Sequence, residues 1–290
     1  TLSSSSAASD VYKRQGFFVM NKSFLKLAIP NIITNLTVPL VSLVDLSLMG
    51  HLGSTSFIIA IGLAVTIFNF IYWSFGFLRM GTTGIISQAY GANNTFKIKN
   101  TILQSFAIGL LLSLILILSQ NIILKASVYA MNTDPGNINL IKEYFNIRIW
   151  DAPATILLYV LMGFFLGMQN SKQVLLVSLI INVSNILLSF LLVRTFNMGI
   201  RGAAFGTLLA QYIGLSCSLI IIYKKYAALN FWKFEIKDIL NSQLSNLLKV
   251  NSDIFIRTLI LIACLSLFRF KSGSMEGVLG ASNILLLEFV

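Results

Sequence analysis

Histidine, cysteine, proline and acid are all scarce in this chain: one His, two Cys, four Pro and ten Asp or Glu in 290 residues. A zinc site, a haem or an iron–sulfur cluster needs several His, Cys or carboxylate ligands close together. The lone His51 and the widely separated Cys217 and Cys264 offer no such cluster and no CxxC pair. Both cysteines lie inside apolar runs and read as small buried hydrophobes. No nucleophile–base constellation, phosphate loop or Walker pattern is present, which argues against an enzyme and an ATP-driven pump and implies no cofactor. Charged residues make up 11% of the chain and hydrophobic ones 56%, with a mean hydropathy of +0.83. An ordinary soluble domain is about 25% charged, so this chain could not cover its own surface in water. The net charge of +11 is spread between apolar runs, which points to orientation in a membrane rather than to nucleic acid.

Long apolar runs are what the chain has in abundance. A transmembrane helix needs about 20 mostly apolar residues, and eight candidates follow Met20, over 25–48, 57–79, 101–123, 146–168, 174–194, 203–223, 254–270 and 278–290. The runs are too long, and lack the period-two alternation, to be strands. Residues 1–19 are Ser-rich and polar, read as a non-native or disordered leader, and stand apart from the fold. The densest basic stretch, Lys224 to Lys249, falls in the longest loop. With more Lys in this and alternate loops, the positive-inside rule places the N-terminus in the cytoplasm. The stretch 224–252 mixes charge, Trp232 and apolar residues and reads as an amphipathic helix on the inner face. HLGSTSFIIAIG after the first span faintly echoes RFKSGSMEGVLGAS after the seventh, as a parallel repeat would.

Polar residues within these runs are the functional candidates. A carboxylate at mid-bilayer costs at least about 2.5–3.5 kcal/mol on insertion scales. Asp45 lies deep in the first span and shares one helical face with Asn31, Asn35 and Ser42. Pro30 and Pro39 each remove a backbone hydrogen bond from that helix and favour a bend. A bendable helix with one buried acid is a plausible proton or cation switch. The alternative is an acid held permanently by neighbouring hydroxyls and amides. In the fifth span, Ser178, Asn182, Asn185 and Ser189 form one polar stripe, either helix–helix glue or the other wall of a polar pocket that Thr207 could reach. The pairs Gly163/Gly167 and Gly202/Gly206 are GxxxG spacings that permit close helix packing. Asp253 and Arg257 are spaced for a local ion pair. Asp151, before Ala152-Pro153, reads as a helix cap or bend near the outer surface, and Glu288 lies in the last span.

Several stretches together resemble multidrug and toxic compound extrusion (MATE) transporters, the DinF-like branch most nearly. They are LAIPNIITNLTVPLVSLVDLSLMGHLG, FLRMGTTGIISQAYGANN, IRIWDAPATILLYVLMGFFLGMQNSK, the NxxN run of the fifth span, MGIRGAAFGTLLAQYIG and NSDIFIRT. The resemblance implies an all-α polytopic bundle of two six-helix lobes that exports amphipathic or cationic compounds in exchange for H+ or Na+ by alternating access. On it, Asp45 matches the first-span acid, Pro30 the bending proline, and Asn185 and Thr207 polar members of the ion-binding network, with Asn182 beside them. Ser189 stands where many relatives carry a second Asp, which favours H+ over Na+, and Asp151 replaces a small uncharged residue. The implied layout is a first lobe over 20–223, a linker over 224–252 and two helices of an incomplete second lobe over 253–290. About four further helices of about 20 residues each are expected beyond Val290, so the piece alone is not expected to transport. The implied partners are a small substrate and the lipid bilayer of the bacterial inner membrane, with no nucleic acid, and the complete protein is expected to be a monomer. A lipid-linked oligosaccharide flippase of the same architecture and a non-transporting membrane scaffold are the alternative readings.

Overall fold

A computed structural model describes residues 55–130, 135–229 and 242–273, with isolated positions at 25, 28–30, 32–34 and 231. The leader, most of the first span including Asn31, Asn35, Pro39, Ser42 and Asp45, the eighth span and Glu288 lie outside the described residues. The described part is helical, without strands: α1 Thr55–Ser74, α2 Gly76–Gly91, α3 Thr95–Leu118, α4 Gln120–Ala130, α5 Pro135–Arg148, α6 Ala152–Gly167, α7 Ser171–Phe190, α8 Gly199–Lys225 and α9 Ser242–Gly273. Five helical runs among the described residues are long and apolar enough to cross a membrane: Phe57–Gly91, Thr95–Leu118, Gly136–Gly167, Ser171–Thr195 and Gly199–Lys225.

Most spans run longer than their apolar stretches suggest. The second continues through Arg79 to Gly91, because α1 and α2 meet at a shallow break around Phe75. A serine-glycine neighbourhood is a usual site for such a break, and here Ser74 Oγ turns back onto the Phe70 carbonyl at 2.9 Å. The fourth span begins as α5 and is interrupted by a 3-10 turn over Ile149–Asp151 before α6. Pro153 lies in the first turn of α6, where its missing N–H is tolerated. The linker boundary differs most. Helix α9 already starts at Ser242, so the last third of the expected amphipathic stretch forms the opening turns of the seventh span; nothing between Ser242 and Asp253 breaks a helix.

Tight turns join the helices. Asn93, Gln169 and Asn197 take the left-handed conformation, with φ of 52°, 56° and 52°, a common way to stop a helix. The next residue then restarts the chain: Asn94 Oδ1 accepts from the Lys97 amide at 2.9 Å and caps α3. Helix α6 sits at the centre, packed on α2, α3, α7 and α8. Its small residues set the approach. A Cβ at Gly163 would stand 2.7 Å from the Arg79 carbonyl oxygen, and one at Gly167 would meet Ile86. The GxxxG pair is thus a backbone contact with α2. Leu110, Leu111, Leu114, Ile115 and Leu118 of α3 face outward, as a lipid-facing surface requires. Cys264 is exposed on that apolar exterior and Cys217 is half-buried, so neither is the enclosed core residue expected. Asp253 and Arg257 are both exposed and do not form the local ion pair with each other that their spacing suggested.

Candidate functional site

Among the described helices, α7 and α8 share the most extensive packing. Gly202 and Gly206 allow this: a Cβ at Gly202 would touch the Leu192 and Val193 backbone, and one at Gly206 would lie 2.8 Å from Ser189 Cα. With the two backbones so close, polar side chains on the shared face can reach across. Asn185 Nδ2 donates to Thr207 Oγ1 at 2.9 Å, and Thr207 Oγ1 donates to the Ala203 carbonyl at 3.1 Å. Asn185, Ser189, Thr207 and Ser178 are all buried. Asn182 is half-buried one turn away, on the same stripe. Directly after Ser189 and Phe190 the helix widens into a π turn over Leu191–Thr195, a feature frequent at functional sites.

Three atoms of this group have no hydrogen-bond partner among the described residues: Asn185 Oδ1, Ser189 Oγ and Asn182 Nδ2. A buried polar atom without a partner costs about 1–3 kcal/mol, so these three atoms are open to a further hydrogen-bond partner. Two of the three are oxygens with free lone pairs. They could accept a proton-bearing carboxyl or contribute to a cation's shell, but they carry no charge themselves. No group of three or more His, Cys, Asp or Glu among the described residues could hold a metal ion. The structure thus brings Asn185, Thr207 and Ser189 together, with Asn182 adjoining. Pro30 is buried within a helical stretch, and Thr34 Oγ1 donates to its carbonyl at 2.8 Å. Asp45 lies outside the described residues.

Sequence reasoning missed a second polar group. Asp151 is fully buried and accepts from both the Tyr72 hydroxyl of α1 and, at 3.4 Å, Arg148 Nε of α5. Its side chain makes no helix cap, because the carboxylate turns inward to these donors; the bend expected at this position is the 3-10 turn over Ile149–Asp151. Arg148 Nη1 also donates to Tyr144 Oη at 2.8 Å, and its guanidinium lies 4.8 Å from the Phe68 ring centre. The i, i+3 spacing of Arg148 and Asp151 inside an apolar run was the available signal. A third polar set lines α3: Asn100, Thr101, Gln104 and Ser105 are buried, with Ser105 accepting from Thr82 Oγ1 of α2 at 3.2 Å.

A profile of the MatE family matches residues 30–191. The chain is 29% identical over 270 residues to DNA damage-inducible protein F of Escherichia coli K12, covering 93% of this chain and 59% of that protein. It is 30% identical over 211 residues to human Multidrug and toxin extrusion protein 1, covering 70% of this chain and 36% of that protein. Among solved structures, an outward-facing multidrug resistance MATE transporter of the MOP superfamily superposes with a TM-score of 0.75 at 22% identity, over 87% of this chain and 55% of that one. A MATE transporter in its bent conformation gives 0.75 at 20% identity, with 87% and 57% covered. The chain therefore spans little more than half the length of the proteins whose fold it shares.

Proposed function

The chain belongs to the MatE family, and on that premise we propose that it carries the ion-coupling lobe of a secondary antiporter, a transporter and not an enzyme. It exports amphipathic or cationic compounds in exchange for H+, or less favourably Na+, by alternating access across the bacterial inner membrane, with its N-terminus in the cytoplasm. The observation that supports this reading is the Asn185–Thr207 hydrogen bond, with the unpartnered oxygens of Asn185 and Ser189 beside it. Asp45 supplies the acid of the first span. When it is ionised, it competes for the donors of this stripe; when protonated, it donates to one of the two open oxygens. That exchange of partners biases the bend at Pro30 and so the side to which the lobe opens. The neutral Ser189 leaves few charged oxygens for Na+, which prefers several oxygen ligands with negative charge nearby, and the balance favours H+. No covalent step is involved. The test is dye efflux in everted vesicles holding the complete protein. Asp45→Asn is expected to abolish the dependence of efflux on the pH gradient; efflux and its pH dependence unchanged in that variant would falsify the reading.

A further inference from the structure

We infer that Asp151 is a second proton-exchanging carboxylate of this lobe, held by Tyr72 and Arg148 at the break in the fourth span; this rests on the antiport reading above. A buried acid within a spanning segment is a functional candidate by default, and the surroundings of this one suit two protonation states. Its side chain is 0% exposed, and that of Arg148 is 13% exposed. Arg148 does not depend on the carboxylate alone. Its guanidinium rests on the π faces of Phe68, at 4.8 Å, and Tyr144, at 5.6 Å, and donates to the Tyr144 hydroxyl. Those partners are neutral and stay in place when Asp151 gains a proton. Cation–π contact in a desolvated site favours a seated guanidinium in both states of the acid. The Arg148–Asp151 bond is long at 3.4 Å, and the nearer Tyr144 contact at 2.8 Å holds Arg148 in both protonation states of the carboxylate. Tyr72 can serve both states, since a phenol donates to a carboxylate and accepts from a carboxylic acid. Uptake takes one proton from water, converts the carboxylate to the acid and reverses the Tyr72 hydroxyl; release runs the same steps backward.

The position of this acid couples it to the rest of the lobe. Asp151 closes the 3-10 turn between α5 and α6, and a 3-10 stretch inside a long helix often marks a hinge. The turn is tied to α1 through Tyr72 and to α8 through Tyr212, whose hydroxyl donates to the Trp150 carbonyl at 3.0 Å. Helix α8 also carries Thr207. Asp151 stands 16 residues before Gly167 and Thr207 stands 18 before Lys225. At about 1.5 Å per residue these are about 24 Å and about 27 Å along their helices from the same end of the bundle. The titratable and charged groups around the carboxylate, among the described residues, are Tyr72 of α1, Tyr144 and Arg148 of α5, Tyr159 of α6 and Tyr212 of α8. Arg79 of α2 faces Tyr159. Helix α3 also touches the turn, but its Lys97 and Lys99 lie in its first turns, far from it.

Two exposed tryptophans adjoin the group, Trp73 beside Tyr72 and Trp150 beside Asp151, at 58% and 52% exposure. In a Trp232→Phe background they report on it directly. The protein in nanodiscs is titrated from about pH 4 to about pH 9, the range in which buried carboxyls are found to ionise, while Trp emission is followed. The expected result is a one-proton transition that Asp151→Asn removes and Asp45→Asn retains. Tyr72→Phe, which removes a donor to the charged form, moves the transition to higher pH; this arm stands even if Asp151→Asn does not fold. In everted vesicles of the complete protein, Asp151→Asn flattens the pH profile of efflux and Asp151→Glu restores it. A transition that survives Asp151→Asn, or a midpoint that Tyr72→Phe leaves in place, makes Asp151 a permanently paired structural acid and overturns the inference. If Asp45→Asn alone then abolishes pH-dependent efflux, the antiport reading stands without it; if neither variant alters efflux, both fall.

Discussion

Asn185 donates its side-chain amide to Thr207 across the α7–α8 interface at 2.9 Å, with both side chains buried. The bond exists because Gly202 and Gly206 bring the two backbones together. Its strength and its role can be separated by substitution. Thr207→Val keeps the shape but removes the acceptor, leaving Asn185 Nδ2 buried and unpaired. The expected loss is about 1–3 kcal/mol, read as a lower melting temperature in detergent. Asn185→Leu, which removes both polar atoms, is expected to melt closer to the wild type while losing coupled efflux.

Gly206→Ala is expected to destabilise the same interface by a different route, overpacking instead of a lost acceptor. The added Cβ would lie 2.8 Å from both the Cα and the amide nitrogen of Ser189, so backbone must shift. Overpacking of this kind costs about 1–3 kcal/mol. Ser189→Ala in the same chain should give little rescue, because the clash is with main chain as well as with the hydroxyl. Thermal unfolding of the single and double variants decides this.

The Arg148–Asp151 pair should behave as a buried pair does. Removing one partner of such a pair typically costs about 3–5 kcal/mol, whereas replacing both by apolar residues of similar volume is often neutral. Arg148→Met is therefore expected to lower the melting temperature sharply, and adding Asp151→Leu to recover most of it. A double variant no more stable than the single one would show that Arg148 contributes mainly through its stacking on Phe68 and Tyr144.

The Glu143–Arg201 pair offers a control. Its two hydrogen bonds, at 2.9 and 3.3 Å, join α5 to α8 at an exposed site. Solvent screening leaves such pairs with little effect. Glu143→Gln is expected to leave the melting temperature and its salt dependence nearly unchanged.

Pro30→Ala tests the proposed bend. It restores a backbone N–H within a helical stretch whose carbonyl at residue 30 is already bonded by Thr34. A helix relieved of its proline is expected to straighten. Efflux rate should fall while substrate affinity, measured by dye fluorescence, stays the same. A loss of affinity with no loss of rate would assign Pro30 to packing.

Hydropathy is a local property, so the sequence by itself determined the all-helical membrane class and the position of each described span. It also determined the polar stripe, because Ser178, Asn182, Asn185 and Ser189 recur at the helical period. Span ends were less legible. Helices α1–α2 and α9 continue past their apolar cores, since a helix needs only the absence of a breaker to go on. What only the tertiary structure decided is which polar groups meet. Thr207 is 22 residues from Asn185, and Tyr72 is 79 residues from Asp151. No periodicity within one helix encodes such a pairing. It is fixed by glycine contacts that set how closely neighbouring helices approach, and by a 3-10 turn at which Asp151 meets Tyr72 and Arg148.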